Sequence, residues 1–204
     1  MTNLQKFDAQ FKSVLIGIDE AGRGPLAGPV VAAAVSAGPE FYGLFKDVDD
    51  SKKLTEKRRE KIFELISERK ISYGVGFASS AEIDRINILQ ATFLAMRRAA
   101  QKFARLQNAL VLVDGNREIN NFPLPQTAVV DGDAKSFSIA MASIIAKVYR
   151  DRYMKTIDAL YPQYGFAAHK GYGCAAHIDA INKHGACKEH RITFGPVRNR
   201  ELFI

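Results

Sequence analysis

The sequence predicts an α/β fold: a central mixed β-sheet flanked by helices, with a helical portion at the C-terminal end. Three observations carry this. Short apolar runs of strand length come first, at 14–18 and 30–35. Strand-like and helix-like segments then alternate along the chain. The last forty or so residues lose the strand signal and keep only helical patterning.

Each element follows in order. Val14-Leu-Ile-Gly-Ile18 reads as a buried strand that stops at Asp19-Glu20. Gly22-Arg-Gly-Pro25 is a turn. Val30–Val35 is a second strand, rich in small residues that let another element pack close. Thr55 is placed to cap a helix over Glu56–Arg69, whose Ile62, Phe63, Leu65 and Ile66 form an apolar stripe. A third strand covers Ile71–Phe77, with Tyr73, Val75 and Phe77 alternating with small residues. Ser79 and Glu82 have capping-box spacing and open a helix over Ala81–Ala104, with a break near Asn87. Ala109–Val113 is a buried strand ending in an acid, Asp114. Gln126–Val130 leads to Asp131-Gly-Asp133, and a long helix runs from Phe137 to about Leu160, ended by Tyr161-Pro162. The last helix, Ala175–His184, ends at Gly185, a good residue for a left-handed C-terminal cap.

The chain has 204 residues, 47% apolar and 25% charged, which suits one domain or one domain with a small appendage. The division expected is a main α/β portion over 1–160 and a helical substrate-binding portion over 161–204. No linker marks that boundary. The second portion carries all four histidines and several cations. No apolar run approaches the roughly 20 residues of a spanning helix, so no membrane role is expected. The first residues lack a signal-peptide core, and Cys174 and Cys187 make no disulfide framework; a reducing cytoplasm fits best. The formal net charge of +7 favours a polyanionic partner, of which nucleic acid is the commonest.

Three acids follow apolar strands directly: Asp19, Glu20 and Asp114. Asp133 and Asp151 flank or lie within the long helix. Functional groups in α/β sheets gather where strands end. Carboxylates meeting there repel one another and raise each other's pKa. A hard divalent cation, Mg²⁺ or Mn²⁺, removes that conflict, and two of them about 4 Å apart clamp an in-line phosphoryl displacement. Spacing alone leaves a second reading open, in which the acids cap turns and solvate strand ends.

Gly22-Arg23-Gly24 follows the acidic pair closely. Its backbone could approach a ribose 2′-OH, the group that separates RNA from DNA, and Arg23 could grip a phosphate; a plain tight turn is the alternative. Tyr172, between Gly171 and Gly173, could stack on a sugar or base, or be a half-buried loop tyrosine. Lys52, Lys53 and Lys170 are candidate phosphate contacts. Lys147, inside an apolar helix, either has a directed role or snorkels. Cys174-x-x-His177 and His184-x-x-Cys187 imitate a zinc site. On a straight helix, though, the two histidines stand about 10 Å apart, too far for one ion. No nucleophile elbow, P-loop or dinucleotide fingerprint occurs.

The block Asp19-Glu-Ala-Gly-Arg-Gly-Pro-Leu-Ala-Gly-Pro-Val-Val-Ala-Ala-Ala-Val35 resembles the opening signature of bacterial ribonuclease HII, a type 2 ribonuclease H. Asp50-Ser-Lys-Lys-Leu54, Val113-Asp-Gly115, Gly132-Asp-Ala-Lys-Ser136, Ala142-Ser-Ile-Ile-Ala-Lys-Val148, Tyr164-Gly-Phe166 and His169-Lys-Gly-Tyr-Gly173 are similar to its later blocks, in order. His190-Arg191 with Phe194 resembles the final one. Departures are small: Met141, Cys174 and Thr193 stand where the family often has Ala, Thr and Ser. Ala21 stands where the related ribonuclease HIII usually has Ser, which weakens that alternative.

The resemblance implies a ribonuclease H-like fold. It also implies a two-metal (Mg²⁺ or Mn²⁺) endoribonuclease that cuts the RNA strand of RNA–DNA hybrids. A second implied substrate is duplex DNA holding a single ribonucleotide, cut on its 5′ side to leave 3′-OH and 5′-phosphate. Asp19, Glu20, Asp114 and Asp133 match the family's catalytic metal ligands, with Asp151 as the alternate fourth acid. Gly22, Arg23, Gly24 and Tyr172 match the motif that reads the RNA–DNA junction. A monomer is expected. The rival from another class is a non-catalytic nucleic-acid-binding module on the same basic face.

Overall fold

The computed structural model describes residues 1–46, 48, 51 and 54–198. The main elements are α1 (Asn3–Asp8), β1 (Val14–Ala21), β2 (Val30–Ser36), α2 (Glu56–Glu68), β3 (Ser72–Ala78), α3 (Ser80–Ala100), β4 (Ala109–Asp114), β5 (Gln126–Val129), α4 (Phe137–Leu160), α5 (Phe166–His169), α6 (Ala175–His184) and α7 (Gly195–Arg198). The strands form one mixed sheet in the order β3-β2-β1-β4-β5. β1 pairs antiparallel with β2 and parallel with β4, and β4 pairs parallel with β5. This is the mixed, helix-flanked sheet that the sequence predicts.

Alternation along β2 explains its unbroken apolar run. Ala33 and Val35 face a core layer built with α2 and α4, whereas Val30, Ala32 and Ala34 face a layer built with α3. A strand covered on both faces has no solvent side to make polar. Small side chains there let the helices come close. At Gly17 of β1 the approach is also close: a Cβ would lie 2.1 Å from the Ser138 carbonyl carbon of α4.

α4 is the spine of the molecule. Its first ten residues, 137–146, are all buried. Ser136 caps its N-terminus, accepting from the Ile139 amide at 3.3 Å. The buried Asp8 of α1 accepts from Ser136 Oγ at 2.7 Å and from the Ser138 amide at 2.8 Å, so α1 braces that helix start. The second half of α4 supports another apolar cluster, in which Met154 and Ile157 meet Leu26 and Ala27 of the β1–β2 loop and Tyr164, Phe166 and Ile181 of the C-terminal helices.

The caps fall where the spacing places them: Thr55 accepts from the Arg58 amide, and Ser79 and Glu82 form a full capping box. Asn87 breaks α3 with φ at 64°. Three boundaries differ. β1 does not stop at Ile18; its ladder with β4 ends at the Ile18–Val113 pair, but pairing with β2 continues through Asp19, Glu20 and Ala21. α3 ends at Ala100, and residues 101–103 tighten into a 3-10 turn. α1 is an additional element, opened by the capping-box pair Thr2 and Gln5. Among the described residues no helix is long and apolar enough to cross a membrane.

Candidate active site

The topology brings the strand-end acids together. β1 and β4 are parallel neighbours, so Asp19 and Asp114 leave the sheet side by side. Because β1 outruns β4, Asp19 and Glu20 remain backbone-paired on the β2 side where the β4 ladder has already ended. Asp19, Glu20 and Asp114 line one cavity together with Gly22, Arg23, Gly24, Ser51, Ser143, Lys147, Arg150 and Tyr172. A second groove runs past Arg117, Met96 and Phe93 and shares Glu20, Arg23 and Asp114 with the first. The acids therefore sit where two grooves meet.

Asp19 is 4% exposed. Burial pushes its carboxyl well above the ordinary range, and repulsion from Glu20 and then Asp114 pushes it further; hydrogen bonds from Ser143 and the Glu20 amide only partly offset this. The Ser143 hydroxyl is held by Ser51 at 2.7 Å. Asp114 is oriented by the Gly132 amide, which donates to it at 2.7 Å. Glu20 meets Arg23 at 3.4 Å.

Other sequence-predicted residues are placed differently. Asp133 is buried in the 3-10 turn 132–134, next to the amide that grips Asp114, and is not among the residues lining the cavity. Asp151 is buried between Lys147, at 2.7 Å, and Arg59, at 3.3 Å, and does not line the cavity either. Lys147 does line it, and burial lowers its pKa despite the Asp151 partner. Lys170 turns away: its ammonium donates to the Ala167 carbonyl at 2.6 Å and lies 3.8 Å from Glu56. Lys52 and Lys53 lie outside the described residues. Tyr172 is half exposed at the rim, and a Cβ on Gly24 would sit 3.8 Å from its ring.

Gly22 is a position where only glycine fits. Its φ is +95°, and a Cβ would overlap the Arg150 side chain. Arg150 is one of the site residues that sequence reasoning missed, with Ser51, Ser143 and Arg117. The two serines lie in family-like blocks, which was the available signal. A cation within an apolar helix, as Arg150 is, gives no comparable sign.

The donor set suits a hard cation. Asp19, Glu20 and Asp114 offer only oxygen, and their mutual repulsion is what a divalent ion relieves. Among the described residues, however, no group of three or more His, Cys, Asp or Glu side chains is gathered so as to hold a metal ion. The zinc imitation does not assemble. Cys174 is exposed and Cys187 buried. His177 meets His190 at 3.1 Å, and His184 packs against Tyr164.

Residues 16–197 match the family model described as Ribonuclease HII. The chain belongs to the ribonuclease HII family. A ribonuclease HII of Syntrophotalea carbinolica is 53% identical over 194 residues, covering 95% of this chain and 91% of that one. The ribonuclease HII in the PCNA complex from Archaeoglobus fulgidus superposes with a TM-score of 0.72 at 28% identity, covering 89% and 95% of the two chains. Bst-RNase HIII, solved with Mn²⁺, superposes at 0.75 and 17% identity over 94% and 70%, a likeness of fold. The architecture is thus the ribonuclease H-like fold. Membership makes the protein an endoribonuclease, a hydrolase with ribonuclease H activity on RNA–DNA hybrids.

Proposed function

We propose that the protein also cuts duplex DNA at a single embedded ribonucleotide, on its 5′ side, leaving 3′-OH and 5′-phosphate, with Mg²⁺ or Mn²⁺. The observation that carries this is one shared cavity, lined by Asp19, Glu20 and Asp114 together with Gly22, Arg23, Gly24 and Tyr172.

Asp19, Glu20 and Asp114 would hold the cation, two ions being expected during catalysis, with Asp133 as the proposed fourth carboxylate. When bound, divalent cations neutralise the carboxylates and polarise the phosphate for attack by water. The chain's own groups do the rest. Ser143 and the Gly132 amide hold Asp19 and Asp114 in place. The Gly22–Gly24 backbone, which lines the same cavity, would test a bound sugar for a 2′-OH, and Gly24 carries no side chain to block its approach. Tyr172 offers its ring to the sugar on the far rim. Arg23 and Lys147 supply positive charge beside the phosphate path, and Lys52 and Lys53 are further proposed contacts. The working unit proposed is a monomer, in which 1–160 brings the acids and 161–204 brings Tyr172.

The test is a DNA duplex with one ribonucleotide, incubated with Mg²⁺, with Mn²⁺, and with chelator. Cleavage 5′ to the ribonucleotide, lost on chelation, is the expected result. An uncut strand at enzyme levels that digest a continuous hybrid would overturn the proposal.

A further inference from the structure

Among the described residues Arg150 and Arg191 are buried and form no ion pair with a carboxylate. Arg191 is fully buried. Its guanidinium donates from Nη2 to the Gly22 carbonyl at 2.6 Å, from Nη1 to Arg23 at 2.8 Å and to Pro25 at 2.7 Å, and from Nη2 and Nε to Gly28 at 2.8 and 3.0 Å. A guanidinium has five N–H donors, and all five are used on backbone carbonyls of one loop. The Arg191 amide also donates to Leu26, and Phe194 lies against the guanidinium at 5.0 Å. Burying a charge this way costs free energy that simple packing does not require. The loop held is the one that carries Gly22, Arg23 and Gly24.

We propose that Arg191 is a positioning residue for ribonucleotide selection: it fixes the two peptides Gly22–Arg23 and Arg23–Gly24 so that their amides face the cavity. The argument is geometric. In a trans peptide the carbonyl of one residue and the N–H of the next point in opposite directions. Arg191 draws the Gly22 and Arg23 carbonyls inward, so the Arg23 and Gly24 amides point outward, on the side that lines the cavity. Among the described residues neither amide donates to a protein acceptor. Two parallel donors held rigid beside the acids are suited to a hydroxyl or phosphate oxygen. Arg150, which itself lines the cavity, braces the same loop by donating to Ala27 and Pro29, and it also donates to the Lys170 carbonyl. The fixed orientation is a preorganised one, with no loop ordering left to be done on binding.

This inference rests on the proposed junction reading, and its test separates the two. Affinities are measured without divalent cation for a DNA duplex carrying one ribonucleotide and for the same duplex without it. Arg191→Lys keeps the charge but replaces the five-donor fork with three donors. The wild-type preference for the ribonucleotide duplex should fall about tenfold in Arg191→Lys, with the all-DNA affinity changed less than about twofold. A merely structural role would lower both affinities together. A folded Arg191→Lys that keeps the full preference overturns the inference. If the wild type itself shows no preference, the junction reading fails instead, and the clamp is judged by a measurement that needs no variant. Hydrogen exchange of the Arg191 Nε–H should be far slower than that of the half-exposed Arg23. Equal rates would overturn the clamp whether or not Arg191→Lys folds.

Discussion

Asp19 and Asp151 are buried to nearly the same degree, 4% and 2% exposed, yet their surroundings are opposite. Asp151 lies between two cations, Lys147 and Arg59, and Arg59 is itself tied to the Ser51 and Leu54 carbonyls. Asp19 faces two further carboxylates. One charge is balanced inside the protein; the other awaits something from outside. Burial alone therefore does not mark a site. What marks it is like charge gathered at an open cavity, at a cost to the free protein that a ligand can relieve.

The sharpest way to break this contrast is Asp19→Asn. Turnover on an RNA–DNA hybrid should fall by roughly 10³-fold or more, since the proposed ligand of a phosphate-activating ion is lost. The thermal midpoint without divalent cation should not fall, because a repulsive buried charge has been removed. A lower midpoint, or surviving turnover, would break the comparison. Asp151→Asn is expected to do the reverse in stability. Leaving Lys147 and Arg59 without their counter-charge should cost about 3 kcal/mol in a denaturant titration. A loss under about 0.5 kcal/mol, the level of an ordinary surface change, would mean that the ion pairs are not holding α4 to α2.

Divalent cation should sharpen the contrast further. At 100 times its dissociation constant, Mg²⁺ should stabilise the wild type by about 2.7 kcal/mol, read as a raised thermal midpoint. Asp19→Asn should show much less of this gain, and Asp151→Asn most of it. A smaller effect is expected at a third buried polar cluster, where His177 and His190 meet at 3.1 Å. Burial lowers both rings to about 4, from an ordinary value of 6.5. The folded state favours the neutral rings, so their contribution is full above pH 6.5 and is lost as pH falls toward 4. Replacing His177 with Asn should flatten the acid limb of a stability–pH curve by on the order of 1–2 kcal/mol. An unchanged limb would show that these rings do not drive it.

The acids were legible because each ends an apolar run, a pattern that sequence preserves whatever the tertiary contacts. The family-like blocks made the fold legible as well. The fate of Asp151 was not, since it depends on the angular phase of a 24-residue helix that is buried all round for its first half and so carries no clear polar face. Lys170 reads in sequence like any loop lysine; its turn toward Ala167 depends on a left-handed backbone at φ 51°. Arg191 was equally opaque. Its partners are backbone carbonyls more than 160 positions earlier, and a carbonyl has no letter in a sequence.

Gly17 stands two residues before Asp19 on the same strand. Any side chain there would have to lever β1 off α4 by on the order of 1 Å, a displacement that can cost about 10²-fold in rate when it reaches reacting groups. This thin seam is thus also a gauge block: it sets how high the acidic wall stands above its helical floor, and a mutation far from solvent, touching no nucleic acid, would detune the chemistry by changing that height.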